Sequence, residues 1–184
     1  MKKYISFIII LFSLSSMAQT KVGDLTLPNS MKIGEKQAQL NGAGTRVKLW
    51  MDLYAMGLYL TEKNNNADHI IAKDDNMGIR LEIISGLITA EKMEKATRDG
   101  FKHSTKGNMK EIHTKIEDFL AVFKSGVEKK DVFEFAYIPA KGTAIYKNGE
   151  LQKTIEGLSF KKALFGIWLC NKPADKNLKE KLLK

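Results

Sequence analysis

Few side chains in this sequence are placed for chemistry. His69, His103 and His113 have no carboxylate or cysteine neighbours at ligand spacing, whereas a bound ion needs three or four convergent ligands, so no metal site is expected. Cys170 follows Ile167-Trp168-Leu169 and reads as a small buried hydrophobe rather than a nucleophile. There is no G-x-S-x-G elbow, P-loop or dinucleotide fingerprint; Gly42-Ala43-Gly44 is too short for one and precedes a strand rather than a helix. Hydrolase, kinase and dehydrogenase classes lose their support on that ground, and no catalytic residue or cofactor is assigned.

The pattern that remains is Gly44-Thr45-Arg46 running into the apolar, aromatic stretch that ends Tyr54-Ala55-Met56-Gly57-Leu58-Tyr59-Leu60. An arginine in such company is costly to bury unpaired, and its planar fork fits a carboxylate. Tyr54 lies an even number of residues further on, so on one uninterrupted strand the two would share a face. Two readings stand at this point. Either Arg46 and Tyr54 form an acid-binding pair, or Arg46 is an exposed strand-end charge and Tyr54 a core residue.

Period and turn signals give the elements that must hold these residues. A short strand is expected at Leu25–Leu27; Gln37–Leu40 leads into a Gly-rich stretch over 41–45, itself a lead-in to a long strand or tightly reversed pair over Arg46–Leu60. Glu62–Asn76 reads as an exposed connection with a short helix or turn inside it, and Ile79–Ile84 as a further strand. A helix starts at Thr89, with Ile88 and Met93 spaced as a hydrophobic staple. A second helix spans about Met109–Lys124, its apolar stripe being Ile112, Ile116, Phe119, Leu120 and Phe123. Strands return at Asp131–Ile138, Thr143–Lys147 and Glu150–Ile155, the last two around Asn148-Gly149. An amphipathic helix follows Ser159, and a basic tail helix follows Pro173. That order fits an α+β domain with helices packed on one face of an antiparallel sheet.

Composition agrees. The 184 residues are 43% hydrophobic and 28% charged, with 30 Lys plus Arg against 21 Asp plus Glu, which excludes a disordered tail, a disulfide scaffold and a polytopic membrane protein. Lys2-Lys3, an apolar run from Tyr4 to Leu14 and Ser16-Met17-Ala18 read as an export signal over 1–18. Gln19, not a cysteine, follows the expected cleavage point, so the domain over 19–184 is expected to be periplasmic or secreted and free of a lipid anchor. The lysines are dispersed, densest over Lys172–Lys184, without interleaved aromatics to stack on bases. No nucleic-acid partner is expected; a peripheral contact of the basic tail with an anionic membrane surface is.

Three segments together carry a resemblance. They are Leu40-Asn41-Gly42-Ala43-Gly44-Thr45-Arg46, then Asp52-Leu53-Tyr54-Ala55-Met56-Gly57-Leu58-Tyr59-Leu60, and the late helix Phe160 to Asn171 with Pro173-Ala174-Asp175. With the strand-to-helix join from Ile84 to Phe101, the sequence resembles the chalcone isomerase-like family, and most of all its exported bacterial branch. The resemblance implies an open-faced β-sandwich, a large antiparallel sheet with helices on one face and a ligand cleft between the two layers. In the plant enzymes a sheet arginine assists closure of a chalcone; in the fatty-acid-binding branch an arginine and a tyrosine hold a carboxylate. Arg46 matches that arginine and Tyr54 the tyrosine, across a connection shorter by several residues.

Where the isomerases carry a tyrosine, a lysine and an asparagine near the first helix, this sequence offers Thr89, Lys92 and Ala96. Only the lysine matches, so isomerase activity is not expected. The resemblance therefore implies a non-catalytic binder of an apolar carboxylate such as a fatty acid, with Arg46, Tyr54, Thr89 and Lys92 as candidate ligand-binding residues. Two alternatives stay open: an isomerase or lyase acting on an enone-like substrate, and a ligand-free envelope interaction module. A cleft at Arg46 separates the first two from the third.

Overall fold

The computed structural model describes residues 19–23 and 25–184; the export signal read over 1–18 lies outside them. Strands β1 (Gln19–Val22) and β2 (Leu25–Pro28) form a small antiparallel ribbon. The main sheet is a seven-stranded antiparallel meander whose spatial order is its chain order: β3 (Ser30–Ile33), β4 (Lys36–Lys48), β5 (Met51–Leu60), β6 (Met77–Ile83), β7 (Val132–Ile138), β8 (Gly142–Lys147) and β9 (Glu150–Ile155). Helices α1 (Ala67–Ala72), α2 (Ala90–Ser104), α3 (His113–Leu120), α4 (Leu158–Leu169) and α5 (Lys176–Leu182) complete the domain, with α3 flanked by 3-10 turns. The fold is the expected α+β arrangement.

Strand alternation sets the layers. Tyr54, Met56, Leu58 and Leu60 of β5, Ile79, Leu81 and Ile83 of β6, and Phe133, Phe135 and Tyr137 of β7 all point into one core beneath the helices. Phe119 of α3 sits at its centre, with ring centroids of Phe101, Phe123, Phe135 and Phe160 5.3 to 6.0 Å away. Such edge-on and tilted contacts add to the burial of the rings themselves. On the opposite face Ala55 packs with Val22 and Leu27 of the β1–β2 ribbon.

Three elements differ from their sequence expectation, the helix read over Met109–Lys124 being α-helical only over His113–Leu120. The Gly-rich stretch 41–45 is not a lead-in but the middle of the thirteen-residue β4. Its glycines admit α5: a Cβ on Gly44 would lie 2.7 Å from Lys181 Cδ, and one on Gly42 would meet the Lys181 carbonyl. Helix α4 is not amphipathic but buried on nearly every side, Lys161 included, because α1 and α2 pack on it from outside the sheet. The 62–76 connection does carry a short helix, α1, anchored by buried Ile70.

Lys161 is held without a carboxylate. Its Nζ donates to the carbonyls of Ile70, Ile71 and Lys73 at 2.9, 3.0 and 2.7 Å, which lie at the C-terminal end of α1 where helical partners run out. It also sits 5.6 Å from the ring centroids of Tyr137 and Phe165. Burial lowers its pKa to about 8. The Tyr137 hydroxyl donates to Asp74 Oδ1 at 2.6 Å.

Candidate functional site

Arg46 and Tyr54 face the same cleft, but not because one strand carries both. They are direct cross-strand partners in the β4–β5 hairpin, and paired residues of an antiparallel ladder share a face. Along β4 the residues on this face are Gly42, Gly44 and Arg46, paired with Leu58, Met56 and Tyr54. Helix α5 covers the two glycines, so Arg46 is where the covering ends and side-chain space begins. The ladder slips after Arg46, between its pairing and that of Val47 with Asp52.

The Arg46 guanidinium carbon lies 5.7 Å from the centroid of the Tyr54 ring, within range for a cation–π contact. Among the described residues no carboxylate reaches Arg46 within ion-pair distance. Tyr54 is only 2% exposed, and its hydroxyl accepts a hydrogen bond from Trp168 Nε1 at 2.8 Å. An indole N–H can only donate, so the phenolic proton remains free to be given to something else. Burial raises the Tyr54 pKa above its ordinary value, against the lowering pull of the Arg46 charge and the Trp168 hydrogen bond. Tyr54 therefore stays a neutral donor at physiological pH.

These groups open onto a cavity of about 380 Å³ between the hairpin and α2, lined on its apolar sides by Leu53, Met51, Leu87, Ile88, Met93 and Ala96. That volume falls within the usual range of small-molecule pockets. Arg46, Lys48, Lys92 and Lys95 line it against a single acid, Asp99, so the chamber combines apolar walls with a net positive potential. A larger hollow of about 520 Å³ lies where β1 and β4 meet α5. Lys21, Lys63, Lys181, Lys184 and glycine backbone border it, and it offers a long apolar chain little wall to pack on.

Lys92 and Thr89 are placed differently from the pair. Lys92 lines the cavity, but its Nζ donates to the Leu87 carbonyl at 2.9 Å. Thr89 is the N-cap of α2: its hydroxyl accepts the backbone N–H of Lys92 at 3.3 Å, and it is not part of the cavity lining. Trp168 and Leu87 are the residues that sequence reasoning passed over. Trp168 read as one more member of an apolar helical stripe, and only the fold brings its N–H to Tyr54.

The family model described as chalcone isomerase-like matches residues 19–184. The chain belongs to the chalcone isomerase-like family. The crystal structure of a fatty-acid-binding protein from Arabidopsis thaliana is similar to it at a TM-score of 0.67 and 17% identity, covering 86% of this chain and 91% of that one. At that identity the likeness shows the fold. No curated protein matches the chain in sequence. This family member keeps the sheet-and-helix layering expected of it, and its arginine–tyrosine pair opens between the two layers.

Proposed function

We propose that this chalcone isomerase-like protein is a non-catalytic binder of an apolar carboxylate such as a fatty acid. Arg46 forms a charge-assisted pair with the carboxylate and Tyr54 donates a hydrogen bond to it, while the wall from Leu53 to Met93 encloses the start of the chain. Lys92 and Lys95 contribute positive potential at the rim. What supports this reading best is the state of two residues that line one cavity with apolar walls: Arg46, whose guanidinium has no carboxylate partner among the described residues, and Tyr54, whose buried phenol accepts from Trp168 and keeps its proton.

The fatty-acid-binding function of the similar plant protein supports the same reading, as does the engagement of Thr89 and Lys92 in local hydrogen bonds, which leaves neither aimed at a reacting carbon. Thr89 serves the site by fixing the start of α2, whose Met93 and Ala96 line the cavity. The leader-like residues 1–18 support a periplasmic or secreted location. Titration calorimetry of purified protein with laurate tests the assignment: the parent binds, and Arg46→Ala binds at least tenfold more weakly while melting at nearly the same temperature. Equal affinities in two folded proteins would remove Arg46 from the site.

A further inference from the structure

The rim of the cavity carries a feature that ligand binding does not need. Strands β4 and β5 are joined by a two-residue turn, Leu49-Trp50, between the paired Lys48 and Met51. Both turn residues have positive φ, 49° and 66°, the geometry of a type I′ hairpin turn, which favours Asn-Gly. The same chain supplies its own control: β8 and β9 are joined by an equivalent turn between Lys147 and Glu150, built from Asn148-Gly149 with φ of 52° and 83°. At one hairpin the favoured residues are used. At the other, two bulky apolar residues are held in the left-handed region and displayed to solvent, Leu49 at 67% and Trp50 at 94% exposure.

The display is not isolated. Val47, Met51 and Leu87 are also exposed, so five of the six large exposed hydrophobics among the described residues gather at this end of the molecule. Leu49, Met51 and Leu87 belong to the cavity mouth, together with Arg46, Lys48, Lys92 and Lys95. A protruding tryptophan and leucine beside four cations, which outnumber the nearby acids Asp52 and Asp99, match the interfacial region of an anionic bilayer: the indole sits at headgroup depth, leucine reaches the acyl boundary, and lysines meet the lipid phosphates. A second copy of the chain fits less well, since its tip would bring the same cations against these.

We propose that the Leu49-Trp50 hairpin tip docks on the surface of an anionic phospholipid membrane and sets the cavity mouth against it. Docking rests on the tip alone; that an apolar acid passes directly between bilayer and cavity rests on the function proposed above. The basic tail helix α5 covers β4 with Leu178 and Leu182 buried and leaves Lys176, Lys181 and Lys184 exposed; the docking proposed here is that of the hairpin tip and does not draw on it.

The test uses residues 19–184, which contain the whole described core and span the family match, with vesicles of phosphatidylglycerol and phosphatidylcholine. The parent floats with the mixed vesicles, binds pure phosphatidylcholine more weakly, and shows a blue shift of tryptophan emission with loss of iodide quenching. Trp168 is already buried, so that shift reports on Trp50. Trp50→Gly places a favoured residue in the turn and does not touch the cavity lining. It folds at least as stably, binds laurate unchanged without vesicles, and loses at least tenfold in vesicle affinity together with the blue shift. Vesicle binding by Trp50→Gly as tight as the parent's overturns the proposal. So does a parent that ignores vesicles, including one that instead dimerises through the tip and becomes monomeric on Trp50→Gly. Vesicle docking with no laurate binding would sink the ligand assignment and leave docking standing.

Discussion

Among the described residues two cation–tyrosine pairs stand at opposite ends of the sheet, and they are finished differently. Tyr137 pairs across the sheet with Met77, which pairs with Leu60, whereas Tyr54 lies at the other end of the same strand; six residues of strand separate the two levels by roughly 20 Å. Around Tyr137, Lys161 is fully buried and spends its ammonium on three backbone carbonyls, and the phenol gives its proton to Asp74. Around Tyr54, the phenol accepts from Trp168 and keeps its proton, and Arg46 faces a cavity with no carboxylate beside it among the described residues. One pair is closed within the structure by its own partners; the other, half-buried at Arg46, borders a cavity, and in the function proposed above it is the pair that waits for a ligand.

Lys161→Met should produce the largest change and should confine it to stability. It leaves three carbonyls at the end of α1 without a donor, and urea unfolding should lose about 3 kcal/mol, with laurate affinity unaltered. Arg46→Ala should do the reverse. Affinity for laurate falls about 10- to 100-fold, the worth of one hydrogen-bonded charge, while the unfolding midpoint hardly moves, because no ion pair of the fold is lost. If both substitutions acted on both properties, the division between a closing pair and a waiting pair would collapse.

The two pairs were unequally legible in the sequence. Arg46 and Tyr54 stood out because an arginine is costly to bury unpaired in apolar company, and the family resemblance chose between two open readings of them, yet their shared face comes from cross-strand pairing rather than from even spacing on one strand. Lys161 gave no signal. In sequence it is half of a Lys161-Lys162 pair that reads as a helix's polar side, and its burial depends on α1 packing over α4, a contact between segments some ninety residues apart. The Asn148-Gly149 hairpin was readable from turn chemistry alone, whereas Leu49-Trp50 violates that chemistry and left open where the long apolar stretch reverses. Gly42 and Gly44 looked like a connection because nothing local says that a helix from the chain's end will lie on them.

A smaller effect sharpens the contrast from the tyrosine side. Tyr54→Phe removes the proton donor and leaves the buried Trp168 N–H without an acceptor, so about 1 kcal/mol should be lost from both stability and laurate binding. That shared loss would mark Tyr54 as the residue that belongs to core and site at once. Acidity separates the pairs last. Laurate affinity should fall below about pH 5 as the ligand carboxyl takes up a proton and stay level through pH 9, because burial holds the Tyr54 proton in place. Lys161 acts at the other end of the scale: burial holds its pKa in the folded protein at about 8, below the ordinary lysine value of 10.5. Between those values the unfolded chain binds more protons, and the stability of the parent relative to Lys161→Met should rise with pH across that window.

In the function proposed, Arg46 and Tyr54 recognise an acid rather than merely border an apolar hollow. Parallel calorimetric titrations with laurate and with dodecanol, which shares the chain and lacks the charge, test this most directly. The parent should prefer the acid by at least tenfold, and Arg46→Ala should bind the two about equally. A parent that binds dodecanol as tightly as laurate would show that Arg46 and Tyr54 do not select the carboxylate.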